Sequence, residues 1–204
     1  MKEELKDANV IEEENLKAKK RMAKLAVKNQ LYDKMQKQTS RQIILLTELI
    51  SAYSLTENGK QKKKILGKVV VIGAYIKRRS NLIFIAEQND VIPVKELELC
   101  FQETIRNLEI NGVSACFSSD IKEISSESAM KIYDFYEAVI EASMDSLSAL
   151  AAALRQKGEE LMLSISAECR EDLKETASHY GAEAEQDFDG SWLLSFLVEG
   201  GGSR

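Results

Sequence analysis

One proline, one histidine and one tryptophan occur in 204 residues, and the only cysteines are the three at positions 100, 116 and 169. A lone histidine excludes any multi-histidine metal centre. An odd number of cysteines with no CxxC pair argues against a disulfide framework or a zinc site, and leaves buried or half-buried free thiols in a reducing compartment. No apolar run approaches the roughly 20 residues needed to cross a bilayer; the longest are Val69–Ile76 and Leu82–Ala86. The N-terminus, MKEELKDANVIEEEN, is charged throughout and lacks the apolar core of a signal peptide, so a cytoplasmic location is expected. Neither a P-loop nor a dinucleotide-binding glycine fingerprint is present.

Glycine is also scarce in the first half, where TENG (Thr56–Gly59) is nearly the only turn signal. Residues 1–90 carry a net charge of +8 and residues 91–204 one of −13, so two differently built halves are expected, a hairpin over 1–90 and a second domain over 91–204. Leu25, Tyr32, Thr39, Leu46 and Tyr53 fall seven apart, and Met22, Asn29, Gln36, Ile43 and Ile50 fill the neighbouring heptad position. A second helix, from about Lys60 to Glu87, carries Ile65 and Ile72 on one register and Val69, Ile76 and Ile83 on the other. Leu66, Val70, Ala74 and Leu82 widen its stripe. Two helices cannot bury so wide a stripe against each other, which predicts a homodimer with a four-helix bundle. The alternative is packing of the hairpin on the second half of the same chain.

Pro93, in NDVIPV, ends the helical pattern and marks a linker. A helix then runs to Asn111-Gly112, followed by a strand at Val113–Ser118 and a helix capped by Ser125 or Ser126. Tyr133, Phe135 and Tyr136 crowd that helix, which leaves room for one ring to face solvent. LSALAAALRQKGEELMLSISAE divides at Lys157-Gly158 into a hairpin, CREDLKETASHYGAE is a helix closed by Gly181, and a last hairpin turns at Asp189-Gly190. Trp192, Leu194 and Phe196 read as core, and Gly200–Gly202 as a frayed end. The order α-β-α-β-β-α-β-β predicts an α+β two-layer sandwich.

A helical hairpin, a proline-marked linker and an α/β sandwich together resemble the core of bacterial sensor histidine kinases, over nearly the whole chain. The resemblance implies a GHKL-type ATPase-like domain. In LYDKM it places Tyr32 and Asp33 where the family carries a His-Asp phosphoacceptor, with the histidine missing. In FYEAVIEASMD it places Glu137 and Glu141 at the family's N-box positions, with Glu141 where an asparagine would hold Mg²⁺. The family's Asp-x-Gly-x-Gly loop has no counterpart in SISAECREDLKETASHYGAEAEQDFDG. The expectation is therefore a degenerate kinase-like protein that uses no cofactor and acts through protein contacts in two-component signalling, in shape also similar to the sporulation phosphotransferase family. Two other readings stay open: an atypical kinase or phosphotransfer protein binding Mg-ATP through Glu137 and Glu141, and a coiled-coil adaptor unrelated to kinases. His179, near a helix C-terminus, reads as a capping residue. The cluster Lys60, Lys62, Lys63, Lys64 and Lys68 reads as a solvated face or a surface for an acidic protein partner, which the acidic second half could itself supply; no nucleic acid or membrane partner is expected.

Overall fold

The computed structural model describes the backbone of residues 2–200 and the side chains of residues 14–200. The expected class is the one found, a long helical hairpin followed by an α+β two-layer sandwich. Helix α1 (Lys2–Leu55) and helix α2 (Gly59–Ala86) are joined by a turn in which the Asn58 side chain accepts from the N–H groups of Lys60 and Gln61. Residues 1–40 and 41–204 form two compact units. The second holds the end of α1, all of α2 and the sandwich.

Strand β1 (Val91–Pro93) leads into α3 (Val94–Ile110), β2 (Ser114–Ser119), β3 (Glu123–Ser125) and α4 (Ser126–Ser143). The hairpin β4 (Ala149–Lys157) and β5 (Glu160–Glu168) follows, then α5 (Lys174–Tyr180), β6 (Glu183–Gln186) and β7 (Trp192–Glu199). The main sheet has the order β2-β4-β5-β7-β6, with β2 parallel to β4 and every other pair antiparallel. The short strands β1 and β3 pair with each other, where sequence reading saw only linker and loop. At three residues apiece they offer no alternation to read.

Burial alternates along β4, β5 and β7. The register Leu150↔Ala167↔Trp192, Ala152↔Ile165↔Leu194 and Leu154↔Leu163↔Phe196 lines up one apolar face, which α3, α4 and α5 cover. The opposite face carries Ala151, Ser164, Leu193 and Leu197 and has no helix layer. Gly181 closes α5 at φ 69°, a left-handed conformation that glycine adopts without strain. Gly200 is tied down by an N–H bond to the Glu159 carbonyl; Gly201 and Gly202 lie outside the described residues.

Two expectations are corrected and one is narrowed. Tyr133, Phe135 and Tyr136 are all fully buried, because α4 packs on the sheet and α3 with one side and on α2 with the other. Phe135 meets Phe196, Tyr136 meets Phe101, and Tyr133 meets Tyr75 of α2. The stripe of α2 is partly accounted for within the chain: Leu82 joins the core that α3 and α4 build, beside Val71 and Tyr75 from outside the stripe, and Ile65, Ile72, Ala74 and Ile83 are buried, whereas Leu66 and Val70 stay exposed, so the fold neither requires nor removes a second copy. Finally, of the three free thiols Cys100 is buried and Cys169 half-buried, but Cys116 is exposed, on the uncovered face of the edge strand β2.

Candidate functional site

Tyr32 and Asp33 lie on α1 within the first unit, and both are exposed, Tyr32 by 56 %. The Lys28 ammonium sits 5.6 Å from the Tyr32 ring centroid, a cation–π placement that addresses the ring face. Gln36 is exposed, but Thr39, on the same heptad register as Tyr32, is buried and its hydroxyl donates to the Met35 carbonyl at 2.8 Å. This is the local back-bond of a mid-helix threonine.

Glu137 and Glu141, expected at N-box positions, lie on α4, where spacings of three and four put Asp134, Glu137 and Glu141 on one helix face. That face meets α2, which runs antiparallel to α4: Lys64 and Lys68 reach Asp145 at one end, and Tyr75 and Arg79 reach Asp134 at the other. Arg79, almost buried, holds Asp134 with two bonds, Nε to Oδ1 at 2.6 Å and Nη2 to Oδ2 at 2.9 Å. The Tyr75 hydroxyl donates to the same carboxylate at 2.9 Å. Burial, then the charge of Asp134, pushes the Tyr75 hydroxyl pKa far up, so the phenol stays protonated and a donor. Glu141 is held from the end of α1, by Arg41 Nη2 at 2.6 Å and Gln42 Nε2 at 3.4 Å.

Glu137, between these two clamped carboxylates, has none of this. It is 1 % exposed, and neither carboxylate oxygen has a hydrogen-bond partner. Desolvation, followed by the charges of Glu141 and Asp134, raises its pKa well above the ordinary carboxylate range, so the neutral acid is favoured. Arg79 Nη1 and the Tyr136 hydroxyl are buried and unpartnered as well. A hard cation needs several converging oxygens on an accessible path. Here one candidate ligand, Glu137, is buried with its neutral form favoured, and the other, Glu141, is paired with the Arg41 guanidinium. Among the described residues no group of three or more His, Cys, Asp or Glu side chains is arranged to hold a metal ion.

The loop after β5, which has no glycine-rich stretch, is short and is tied to Ser146 in the connection between α4 and β4. Ser146 bonds Glu171 and accepts from the Arg170 N–H, and Asp172 accepts from the Lys174 N–H. The depression beside it presents Ser148, Glu168, Arg170 and Asp189, with Gly190 its one glycine. A more enclosed cleft of about 380 Å³ opens between the start of α2, the end of α3 and the end of α4. Its rim carries Lys60, Lys63, Lys64, Lys68 and Asn111, and its floor Val71, Leu108, Val113, Met144 and Leu147.

His179 is exposed in the last turn of α5, as a capping residue would be. Sequence reading missed the Tyr75–Arg79–Asp134 cluster. Its one available signal was an arginine four residues after a tyrosine and eight after Val71, on the face that turns out to be buried.

No family model matches the chain, and no curated protein matches its sequence. Among solved structures it is similar to a bacterial phosphotransferase, at 8 % identity and a TM-score of 0.45, over 82 % of this chain and 93 % of that one. It is also similar to the histidine kinase domain of the Erythrobacter litoralis EL346 blue-light-activated histidine kinase, at 12 % identity and a TM-score of 0.44, over 78 % and 94 %. A third is the Acinetobacter baumannii histidine kinase AdeS, at 10 % identity and a TM-score of 0.43, over 79 % and 96 %. Values this low assign neither a family nor an activity. No helix among the described residues is long and apolar enough to cross a membrane.

Proposed function

We propose that this chain is a histidine-kinase-like protein whose sandwich has given up nucleotide handling, and that it acts as a dimeric scaffold or regulator of two-component signalling through protein contacts. The observation that supports the proposal is the placement of Glu137, the residue expected at the N-box position: it is buried, its carboxylate has no hydrogen-bond partner, and its pKa is raised by desolvation. The salt bridge between Glu141 and Arg41 and the short loop after β5, tied down to Ser146, support the same reading. Tyr32 and Asp33 then form a surface element of the hairpin with no phosphoryl group to accept.

Residues 1–90 serve as the dimerisation hairpin and 91–204 as the sandwich. Support for a second copy comes from α1, which leaves Met22, Leu25, Ile43, Ile50 and Tyr53 exposed along its heptad positions. The deciding experiment is calorimetric titration with Mg-ATP, backed by thermal shift. The expected result is no saturable heat and no stabilisation. Saturable micromolar binding, lost in Glu141→Ala, would restore the competing kinase reading. Sedimentation velocity reads the dimer, and a monomer at all accessible concentrations would remove it.

A further inference from the structure

The cleft at the head of α2 belongs to no part of the site described above. One face of α2 builds its wall, since residues 60, 63, 64, 67, 68 and 71 recur at helical spacing. Gly67 sits where a Cβ would lie 2.1 Å from Asn111 Oδ1, so the C-cap of α3 comes directly against the α2 backbone there. The single carboxylate in the lining, Asp145, is already engaged by Lys64 at 2.8 Å and Lys68 at 2.9 Å. Lys60 and Lys63 have no carboxylate partner among the described residues, and the first turn of α2 contains no acidic residue to oppose its helix dipole. One wall of the cleft thus keeps a net positive charge, with Lys60 and Lys63 unpaired by any carboxylate among the described residues, beside an apolar floor. The volume, about 380 Å³, is within the range of roughly 300–1,000 Å³ typical of ligand clefts.

We infer that this cleft docks an acidic amphipathic helix of a partner protein, which seats one large apolar side chain on the floor formed by Val71, Leu108, Val113, Met144 and Leu147 and places carboxylates on Lys60 and Lys63. The inference rests on the protein-contact reading proposed above and names the chemistry of one contact. Charge complementarity selects an acidic occupant. The concave apolar floor selects a protruding side chain over a flat lipid surface, and the absence of any aromatic residue in the lining removes the stacking that single-stranded nucleic acid would use.

The test is selection of a displayed random helical-peptide library on the full chain, followed by affinity measurement of the enriched peptides on K60E/K63E. Both substitutions are at exposed positions, so circular dichroism and melting are expected to match the parent. Supporting results are enriched peptides with carboxylates three or four residues apart flanking a Leu, Phe or Met, and affinity lost by about tenfold or more in K60E/K63E. Met144→Glu, which charges the floor, is expected to weaken the same peptides. No enrichment, enrichment without acidic residues, or equal binding to K60E/K63E overturns the inference. So does K60E/K63E-sensitive binding of phosphatidylglycerol vesicles or of an oligonucleotide with no peptide enriched. Mg-ATP binding in the calorimeter would instead bring down the reading beneath it, whatever the peptides do.

Discussion

Replacing Glu137 by glutamine removes an ionisable group while keeping its shape, and the effect on stability should depend on pH in a fixed direction. The folded-state pKa of Glu137 is raised above its ordinary value of 4.5, first by desolvation and then by Glu141 and Asp134. Below that ordinary value both folded and unfolded chains carry the proton, and the group costs nothing by ionisation. Above it the unfolded chain releases the proton while the folded chain keeps it, so the parent loses about 1.4 kcal/mol of stability per pH unit until the folded carboxyl itself ionises. Glutamine cannot ionise in either state. E137Q should therefore match the parent within about 1 kcal/mol near pH 4.5 and gain on it by about 1.4 kcal/mol per unit above that. Glu137→Leu, which also removes the two unpartnered oxygens, should add a pH-independent gain of about 1–3 kcal/mol. The remaining charged and titratable groups around the site, Asp134 and Glu141 on α4 and Tyr75 and Arg79 on α2, are present in both chains, so the difference isolates residue 137. The assay is urea unfolding by far-UV circular dichroism at one protein concentration across a pH series. A difference that stays flat between about pH 5 and pH 7, or an E137Q chain less stable throughout, would refute the unpaired, protonated carboxyl and with it the main support for the proposed loss of nucleotide binding.

Three further outcomes follow from particular contacts. Arg79→Ala strips the bidentate partner from Asp134 in a nearly buried setting and should cost about 3 kcal/mol, with Arg79→Lys recovering only part of it, as urea unfolding would read. A thiol reagent should label Cys116 rapidly and Cys169 slowly, but Cys100 only after unfolding, because Cys100 is buried and its thiol is pushed up to about 12 by desolvation; peptide mapping over time distinguishes the three. Gly181→Ala should lower stability by about 1 kcal/mol, from the left-handed backbone alone, since a Cβ there would meet no atom within 4 Å.

The elements of the sandwich could be read from the sequence because they announce themselves locally. Ser125 caps α4, Lys157-Gly158 and Asp189-Gly190 turn the hairpins, and the alternation of Leu161, Leu163 and Ile165 gives the inward face of β5. What could not be read was which surface meets which. Helix α4 is buried on nearly every side, including the face that carries Glu137, yet nothing local names α2 as the second cover. The amphipathic pattern of α2 looks the same whether its apolar face is buried by a second copy or by α3 and α4. The burial of Glu137 was illegible, because it depends on a contact between segments such as Tyr75 and Asp134, 59 residues apart.

The +8 and −13 halves of the sequence meet along α2. Lys64 and Lys68 bind Asp145, Lys77 and Arg78 bind Glu103, and Arg79 binds Asp134, so α2 carries cations over the acidic flanks of α3 and α4. Their contributions differ. The pairs to Asp145 and Glu103 are partly exposed and contribute roughly 0–1 kcal/mol each. Val71, Tyr75 and Leu82 are almost completely buried in the sandwich core, and a large apolar side chain so placed contributes about 1.5–3 kcal/mol. Apolar packing therefore supplies most of the attachment, and the ion pairs choose the register in which α2 lies. Separating α2 from α4 would expose that apolar surface and leave Arg79 and Asp134 without each other, so apolar packing and a nearly buried ion pair together hold the cover over Glu137.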